Sequence, residues 1–183
     1  MVGGTDGEQS RSGILKYVCA VSSAQKKKLI AQLVKHVEGE MDTMRKAALD
    51  AAEGATHAEA KPENDKDTRA IEASYLAAGQ AERYRTMERS LKVLVQLDVP
   101  ELKTTAPIVS TALITLVDED GETTRYLLLP SFGGVVLTEG NQKIQVVTPP
   151  SPLGAALLGR TTGDTIELRV KSGRKELTIT EVA

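Results

Sequence analysis

The chain has 183 residues, of which 23 are Lys or Arg and 25 are Asp or Glu, and its formal net charge is −2. This balance argues against a general nucleic-acid binder, which usually carries a marked basic excess, and the length allows one domain or two small ones. A single cysteine, Cys19, excludes an internal disulfide and suits a reducing cytoplasm, and with only two histidines the sequence has no spacing typical of a metal site.

The first 21 residues are predicted to form a flexible N-terminal segment. Residues 1–13 are rich in glycine, serine and charge, so they bury too little apolar surface to fold alone. The apolar stretch from Ile14 to Val21 is short and contains Lys16, which argues against both a membrane span and a signal peptide. We therefore expect a protein that makes no membrane contact.

Residues 22–99 are predicted to form an antiparallel coiled-coil hairpin. Ser22 and Gln25 have the spacing of a capping box, which favours a helix start, and Pro100 stops the second helix. Apolar residues recur at heptad spacing in both arms. In the first arm they are Ile30, Val34, Val37, Met41, Met44, Ala48, Ala51 and Ala55; in the second they are Ala70, Ala73, Ala77, Tyr84, Met87, Leu91 and Leu94, with Gln80 in the same seam.

The size of these seam residues changes along each arm in a mirrored order. Alanines lie near the bend in both arms, and larger residues lie away from it. An antiparallel pair requires this order, because the layers nearest the bend must face each other. We expect the helices to approach most closely near the bend, in a rod on the order of 45 Å long at about 1.5 Å per residue.

The bend itself, residues 60–67, carries the carboxylates Glu63, Asp65 and Asp67. An extended turn would bring the side chains of Asp65 and Asp67 together. The same residues also have an ordinary interpretation, because acidic residues are favoured at the start of a helix and Asn64 with Asp67 resembles a cap with an acid three residues later. The residues alone leave both interpretations open.

Three consecutive lysines, Lys26, Lys27 and Lys28, lie near the base of the hairpin, which is the end furthest from the bend. A run of charges on a helix is most often a solvated face. We therefore predict that these lysines are exposed, with a contact to a partner as the alternative.

Residues 100–107 are predicted to be a linker, and residues 108–183 a small antiparallel β-sheet domain with one short helix. Turn residues such as Asp120-Gly121 and Gly140-Asn141 separate short β-branched segments. Ser151 and Pro152 have the order of an N-cap and first helical residue, and Gly159 ends that helix. The predicted strands are Ile108–Val117, Tyr126–Leu129, Val135–Leu137, Lys143–Val147, Thr165–Val170 and Glu176–Val182.

The short-helix segment resembles the C-terminal domain of the GreA/GreB family of bacterial transcription elongation factors. The residues that carry the resemblance are Ser151-Pro152-Leu153-Gly154, Ala156-Leu157-Leu158-Gly159 and Gly163-Asp164. The order of a helical hairpin, a linker and a sheet domain matches as well. The resemblance implies an α+β fold in which an N-terminal coiled-coil hairpin precedes an FKBP-like β domain.

The resemblance also implies a function. Members of the family bind RNA polymerase at its secondary channel, with the sheet domain at the channel mouth and the acidic hairpin tip at the active centre. The tip stimulates cleavage of the RNA 3′ end in backtracked complexes. The implied protein is a cytoplasmic monomer that is not an enzyme itself, holds no tightly bound cofactor and shares Mg²⁺ with the polymerase active site.

The resemblance assigns roles to particular residues. Cleavage by two metal ions needs a second, weakly held Mg²⁺, which carboxylate oxygens and water can retain. Asp65 and Asp67 are the preferred catalytic and metal-holding candidates, followed by Glu63. Tyr75 is the implied partner-binding residue near the tip, with packing against the opposite helix as its alternative. In the sheet domain the implied partner-binding residues are Ser151, Pro152, Leu153 and Gly154.

The tip departs from the family pattern, which has an Asp and a Glu three apart shortly before the tyrosine. Arg69, Ala70 and Ile71 stand near those positions here, and the acids lie further upstream, after Lys61 and Pro62. An alternative function is therefore a regulator or inhibitor that occupies the secondary channel without stimulating cleavage. A third is an interaction module unrelated to polymerase that uses its hairpin as a docking surface.

Overall fold

A computed structural model describes residues 23–56, 68–170 and 173–183 of the chain. Within these residues a pair of long helices precedes a six-stranded sheet that carries one short helix. The helices are α1 (Ser23–Thr56), α2 (Thr68–Val95) and α3 (Pro152–Leu157); the strands are β1 (Leu113–Asp118), β2 (Thr123–Leu128), β3 (Val136–Glu139), β4 (Gln142–Val147), β5 (Thr165–Val170) and β6 (Gly173–Val182).

The two long helices pack antiparallel through their predicted heptad seams. Residues from Leu29 to Met41 of α1 share one apolar cluster with residues from the second half of α2, which is the pairing that a hairpin produces. At about 1.5 Å per residue the helices are about 50 Å and about 40 Å long. No helix in the described part of the chain is long and apolar enough to cross a membrane. The packed residues include Val37 and Met41 of α1 and Tyr84, Met87, Leu91 and Leu94 of α2.

The predicted close approach of the helices near the bend is wrong for the layers that the structure describes. Ala48 of α1 and Ala77 of α2 are exposed, and so is Gln80 in the same seam. Packing is strongest instead among the large residues at the base. An alanine removes little apolar surface from water, so these layers contribute little to holding the helices together.

The sheet is mixed, so the prediction of an antiparallel sheet is wrong in one pairing. The strand order is β3-β4-β2-β1-β6-β5, and β2 pairs with β4 in parallel, with Leu127 opposite Val146. All other neighbours are antiparallel. The parallel pair arises because the chain leaves β2 and forms β3 one position further out, and the β3–β4 hairpin then returns β4 into the space beside β2.

The first strand begins later than predicted, at Leu113 and not at Ile108. Thr111 has a φ of 74°, a left-handed conformation that interrupts an extended strand. Thr111 lies within a turn that is closed by a hydrogen bond from the Ala112 N–H to the Val109 carbonyl. Ile108 is nevertheless fully buried, so its apolar character reflects core packing outside the strand.

Both faces of the sheet are covered, and neighbouring residues along a strand point to different cores. Leu127 and Val146 pack in the cluster that contains the base of α1 and α2, whereas Leu128 and Val147 pack in the cluster that contains Leu157 of α3. This is the period-two alternation of a strand with two buried faces. The sequence predicted a sheet packed on the short helix alone, and the hairpin base is the second layer.

The prediction for the lysine run is wrong at one position. Lys27 and Lys28 are exposed, but Lys26 lies on the buried side of α1 and has no exposed surface. Its position in the sequence places it one turn before Leu29 and Ile30, which are also buried. The same helix face therefore carries one charged group into the base of the hairpin.

Candidate functional site

The helices that flank the predicted tip end and begin close to the expected positions. α1 ends at Thr56 and α2 begins at Thr68, so the acidic segment connects the two helices. Glu63, Asp65 and Asp67 lie outside the described residues, and their roles stay predictions.

Tyr75 lies two helical turns from the start of α2, with 75% of its surface exposed. A ring packed against the opposite helix would be largely buried, so that alternative is wrong. The neighbouring Leu76 is 66% exposed, and Leu49 on α1 is 56% exposed. The bend-side half of the hairpin thus presents large apolar side chains to solvent, where a partner can contact them.

The α3 motif forms a capped helix start, as predicted from Ser151 and Pro152. The Ser151 Oγ accepts a hydrogen bond from the Gly154 N–H at 3.0 Å and donates one to the Thr148 carbonyl at 2.7 Å. Pro152 occupies the first turn, where its missing N–H has no helical partner to lose. The Ser151 hydroxyl is therefore occupied within the domain, whereas the exposed Pro152 is open to a partner.

Gly154 has a structural reason to be glycine. It is buried, and a Cβ at this position would overlap the Thr148 carbonyl and come within 3.0 Å of the Ser151 Oγ. The backbone carbonyl that receives the Ser151 hydrogen bond therefore fills the space of a side chain. Gly154 places Pro152 and Leu153 by letting α3 approach the chain before it.

Gly154→Ala is expected to destabilise the sheet domain by about 1–3 kcal/mol, the usual cost of overpacking. The matched control is Gly39→Ala in α1, where a Cβ would meet nothing within 4 Å and the helix would gain about 0.5–1 kcal/mol. Chemical denaturation of each variant measures both changes. Equal midpoints for Gly154→Ala and the parent would contradict the steric account.

Beside α3 the sheet forms a cavity of about 210 Å³. Leu153 of α3 and Leu168 of β5 line its apolar part, and Tyr126 of β2 contributes a half-buried ring. Burial raises the pKa of the Tyr126 phenol, so its hydroxyl stays protonated and can donate a hydrogen bond. The cavity can therefore accept an apolar side chain of a partner while the tyrosine hydroxyl contacts a polar group.

An ion pair borders this cavity. The Lys175 Nζ lies 2.7 Å from the Asp118 Oδ2, and the Asp118 side chain is 5% exposed. The hydrogen bond from Lys175 is the main reason why the pKa of Asp118 is lowered, and the same bond raises the pKa of Lys175. The pair thus joins β1 to β6 beside the cavity.

Lys175→Met is expected to lower the melting temperature at neutral pH, with a difference from the parent that shrinks in acid. The lowered pKa of Asp118 means that its stabilisation is present above the usual value of 3.8 and is lost as the pH falls through the folded-state pKa below it. The raised pKa of Lys175 means that its contribution is full below 10.5 and disappears only above that value. Melting curves at about pH 7 and about pH 2 measure the effect.

The control for this experiment is Lys143→Met, which removes an exposed lysine from β4. It is expected to change the melting temperature little at either pH, as is usual for surface positions. A Lys175→Met difference that is the same at both pH values would exclude the ion pair as its cause.

No group of three or more His, Cys, Asp or Glu side chains in the described part of the chain is placed to hold a metal ion. The cavity was not predicted from the sequence. Leu116, Leu168 and Leu177 were recognisable as strand residues, but their convergence on Leu153 depends on the order of strands in the sheet. The motif around Ser151 was the signal that pointed to this end of the domain.

Comparisons with known proteins identify the class of the sheet domain. Residues 106–183 match the family model described as transcription elongation factor, GreA/GreB, C-terminal domain. The chain is 33% identical over 101 residues to the GreA of Xylella fastidiosa, a match that covers 55% of this chain and 60% of that protein. Residues 106–183 are therefore similar to the C-terminal domain of GreA/GreB elongation factors.

Other relatives match over shorter or more divergent regions. The chain is 36% identical over 75 residues to the GreA of Sphingopyxis alaskensis, covering 41% of this chain and 44% of that protein. The chain thus spans less than two thirds of the length of either curated relative. Among solved structures it resembles Gfh1 of Thermus aquaticus, at 21% identity and a TM-score of 0.37 over 81% of this chain and 92% of that one. The GreA/GreB factor of Nitrosomonas europaea is 24% identical, with a TM-score of 0.35, over 53% of this chain and 78% of that one.

Proposed function

We propose that this protein is a transcription elongation factor that binds RNA polymerase through its secondary channel and stimulates cleavage of backtracked RNA. The observation that carries the proposal is the combination, in one chain, of a sheet domain that matches the GreA/GreB family and a long helix pair whose connecting segment holds four carboxylates, among them Glu63, Asp65 and Asp67. The protein would work as a monomer in the cytoplasm, on the RNA 3′ end within the elongation complex.

The surface around α3 is the proposed docking site on polymerase. Pro152 is exposed, and Leu153 lines the cavity that Tyr126 also borders. An exposed apolar residue beside a concave surface offers the buried contact on which protein interfaces depend. Ser151 and Gly154 would support this surface by holding the start of α3, as their contacts with Thr148 indicate.

The helix pair is the proposed probe that reaches the active centre. Helices about 40–50 Å long can carry their connecting segment far from the sheet domain. The exposed Tyr75 and Leu76 near that end would contact the walls of the channel. The base, by contrast, is packed against the sheet, which gives the probe a fixed support.

The carboxylates of Asp65 and Asp67, with Glu63 next, are the proposed ligands for Mg²⁺ at the tip. Carboxylate oxygens are the donors that Mg²⁺ prefers, so this donor set suits the ion, which the polymerase would hold jointly. A bound Mg²⁺ supplies charge stabilisation and an activated water for phosphodiester hydrolysis. This chain would contribute the ligands and their position, and the polymerase would remain the enzyme.

The test is to add the purified protein to stalled, backtracked elongation complexes of its own RNA polymerase in the presence of Mg²⁺. Release of short RNA fragments from the 3′ end is the expected result. Binding with inhibited elongation and no release would instead identify a regulator that occupies the channel without stimulating cleavage. That second function is favoured by the position of the acids. They lie upstream of Arg69, whereas the family pattern has its acidic pair near the position of Arg69 itself. Failure to bind polymerase would reject both functions.

A further inference from the structure

Lys26 is the one fully buried lysine among the residues that the structure describes. Its Nζ donates a hydrogen bond of 2.8 Å to the Pro100 carbonyl, which lies 74 residues further along the chain. Burial lowers the pKa of Lys26, and the nearby carboxylate of Glu101 opposes this shift in part. The contact joins the first turn of α1 to the linker that follows α2.

The surroundings of Lys26 make this an unusual place for a charge. Leu29, one turn further along α1, and Val99, next to Pro100 in the chain, belong to the apolar cluster at the base of the hairpin, and both are nearly fully buried. A buried ammonium group carries a desolvation cost of several kcal/mol, which is offset only when it finds good hydrogen-bond partners. A hydrophobic residue of similar size would stabilise such a site as well or better. Stability alone therefore does not explain a lysine here.

The acceptor lies where the linker passes from one core to the other. Val99, just before Pro100, is buried in the cluster beneath the hairpin, and Leu102, just after it, packs against the cluster on the α3 side of the sheet. The position of the Pro100 carbonyl is thus tied to the sheet. The hydrogen bond from Lys26 to this carbonyl therefore links the first turn of α1 to a part of the linker that the sheet holds in place.

The remaining contacts between α1 and the sheet that the structure describes are mostly apolar. Leu33 and Val37 share their cluster with Leu137 and Ile144 of the sheet. Apolar burial is non-directional, whereas a hydrogen bond depends on distance and angle. A further polar contact, from the Thr138 N–H to the Gln32 Oε1 at 3.3 Å, is exposed and long.

We propose that Lys26 is a positioning residue that selects one orientation of the helix pair relative to the sheet domain. An orientation that moves α1 away from the linker would break the bond between the Lys26 ammonium group and the Pro100 carbonyl, which disfavours that orientation. The orientation matters because a rotation of about 10° at the base moves a point about 30 Å along α1 by about 5 Å. This inference goes beyond the proposed function, and its test needs no polymerase.

The test measures a distance between the two parts of the full-length protein. Cys19 is replaced by alanine, and spin labels are attached to cysteines introduced at Lys46 on α1 and Arg169 on β5, both of which are exposed. Pulsed electron paramagnetic resonance then gives the distance distribution. Lys26→Met keeps the length of the side chain and removes its charge and donor, and Lys27→Met makes the same change at the adjacent exposed position.

The parent and Lys27→Met are expected to give the same single, narrow distance. Lys26→Met is expected to give a distribution that is broadened or shifted by about 5 Å or more, while its melting temperature is equal to or above that of the parent. An unchanged narrow distance in Lys26→Met would overturn the proposal. A broad distribution in the parent would also overturn it, and so would loss of cooperative folding in Lys26→Met, because Lys26 would then serve stability.

Discussion

Replacing Asp65 and Asp67 together by alanine is expected to abolish RNA release from backtracked complexes and to leave polymerase binding unchanged. Mutating a residue that only hydrogen-bonds to a metal ligand typically costs about 10- to 100-fold in activity. Removing the ligands themselves is expected to cost at least as much. Binding should persist because the proposed docking surface around Pro152 lies in the sheet domain. Cleavage rates and polymerase affinity are measured on the same preparations.

The matched control removes two other carboxylates from the same hairpin. Glu38 and Asp42 are exposed on α1, and Asp42 forms only an exposed ion pair with Arg45 at 3.4 Å. Glu38→Ala combined with Asp42→Ala makes the same change in net charge and is expected to retain cleavage. Full activity in the Asp65/Asp67 variant would reject these residues as the site, and equal losses in both variants would indicate a general effect of charge.

Single variants at the tip distinguish the three candidate acids. Asp65→Ala and Asp67→Ala are each expected to lower the rate of RNA release more than Glu63→Ala does, because each removes a carboxylate of the preferred pair of Mg²⁺ ligands. Raising the Mg²⁺ concentration is expected to restore part of the lost rate, since weakened affinity can be offset by mass action. A loss that is largest for Glu63→Ala would reverse the assignment within the same segment.

Leu33→Ala is expected to lower the free energy of unfolding by about 2–5 kcal/mol, the usual range for removing a buried leucine side chain. Leu33 has no exposed surface and packs where the helix pair meets the sheet. In a chain of this length such a loss lowers the melting temperature by on the order of 10 °C. Calorimetry measures this shift, and the sheet domain should melt with the hairpin base because the two share one core.

The control is Leu49→Ala, the same substitution further along α1. Leu49 is 56% exposed, so its replacement removes little buried surface and is expected to change stability by less than about 0.5 kcal/mol. Similar shifts for both variants would contradict the packing at the base of the hairpin. A Leu33→Ala protein in which the helices melt early while the sheet keeps its parent melting temperature would show that the shared core contributes little to stability.

Much of the local structure was predictable because it depends on residues close together in the chain. The heptad spacing of Val37, Met41 and Met44 predicted a helix, and α1 contains all three. Ser151 and Pro152 predicted the start of α3, where a serine side chain caps a backbone N–H three residues later. All six predicted strands are present, although the first begins only at Leu113, after the left-handed residue Thr111.

The candidate site was predictable only in part. Pro152 and Leu153 were identified through a local motif, and they lie at the surface and in the cavity respectively. The ion pair of Asp118 with Lys175 joins residues far apart in the chain, so no spacing pattern indicated it. Ala48 and Ala77 have the same heptad spacing as the larger residues of the predicted seams, yet their small side chains are exposed.

The order of residues along the chain was therefore sufficient for the helices, the strands, the capped α3 and the resemblance to the GreA/GreB family, since each depends on a short repeating or local pattern. Three features required the folded chain: the parallel pairing of β2 with β4, the packing of the hairpin base on one face of the sheet, and the burial of Lys26 against the Pro100 carbonyl. Each brings together segments that are distant in sequence. The periodicity of a helix or strand says which of its faces is apolar, but the surface that covers this face is decided only when the whole chain packs.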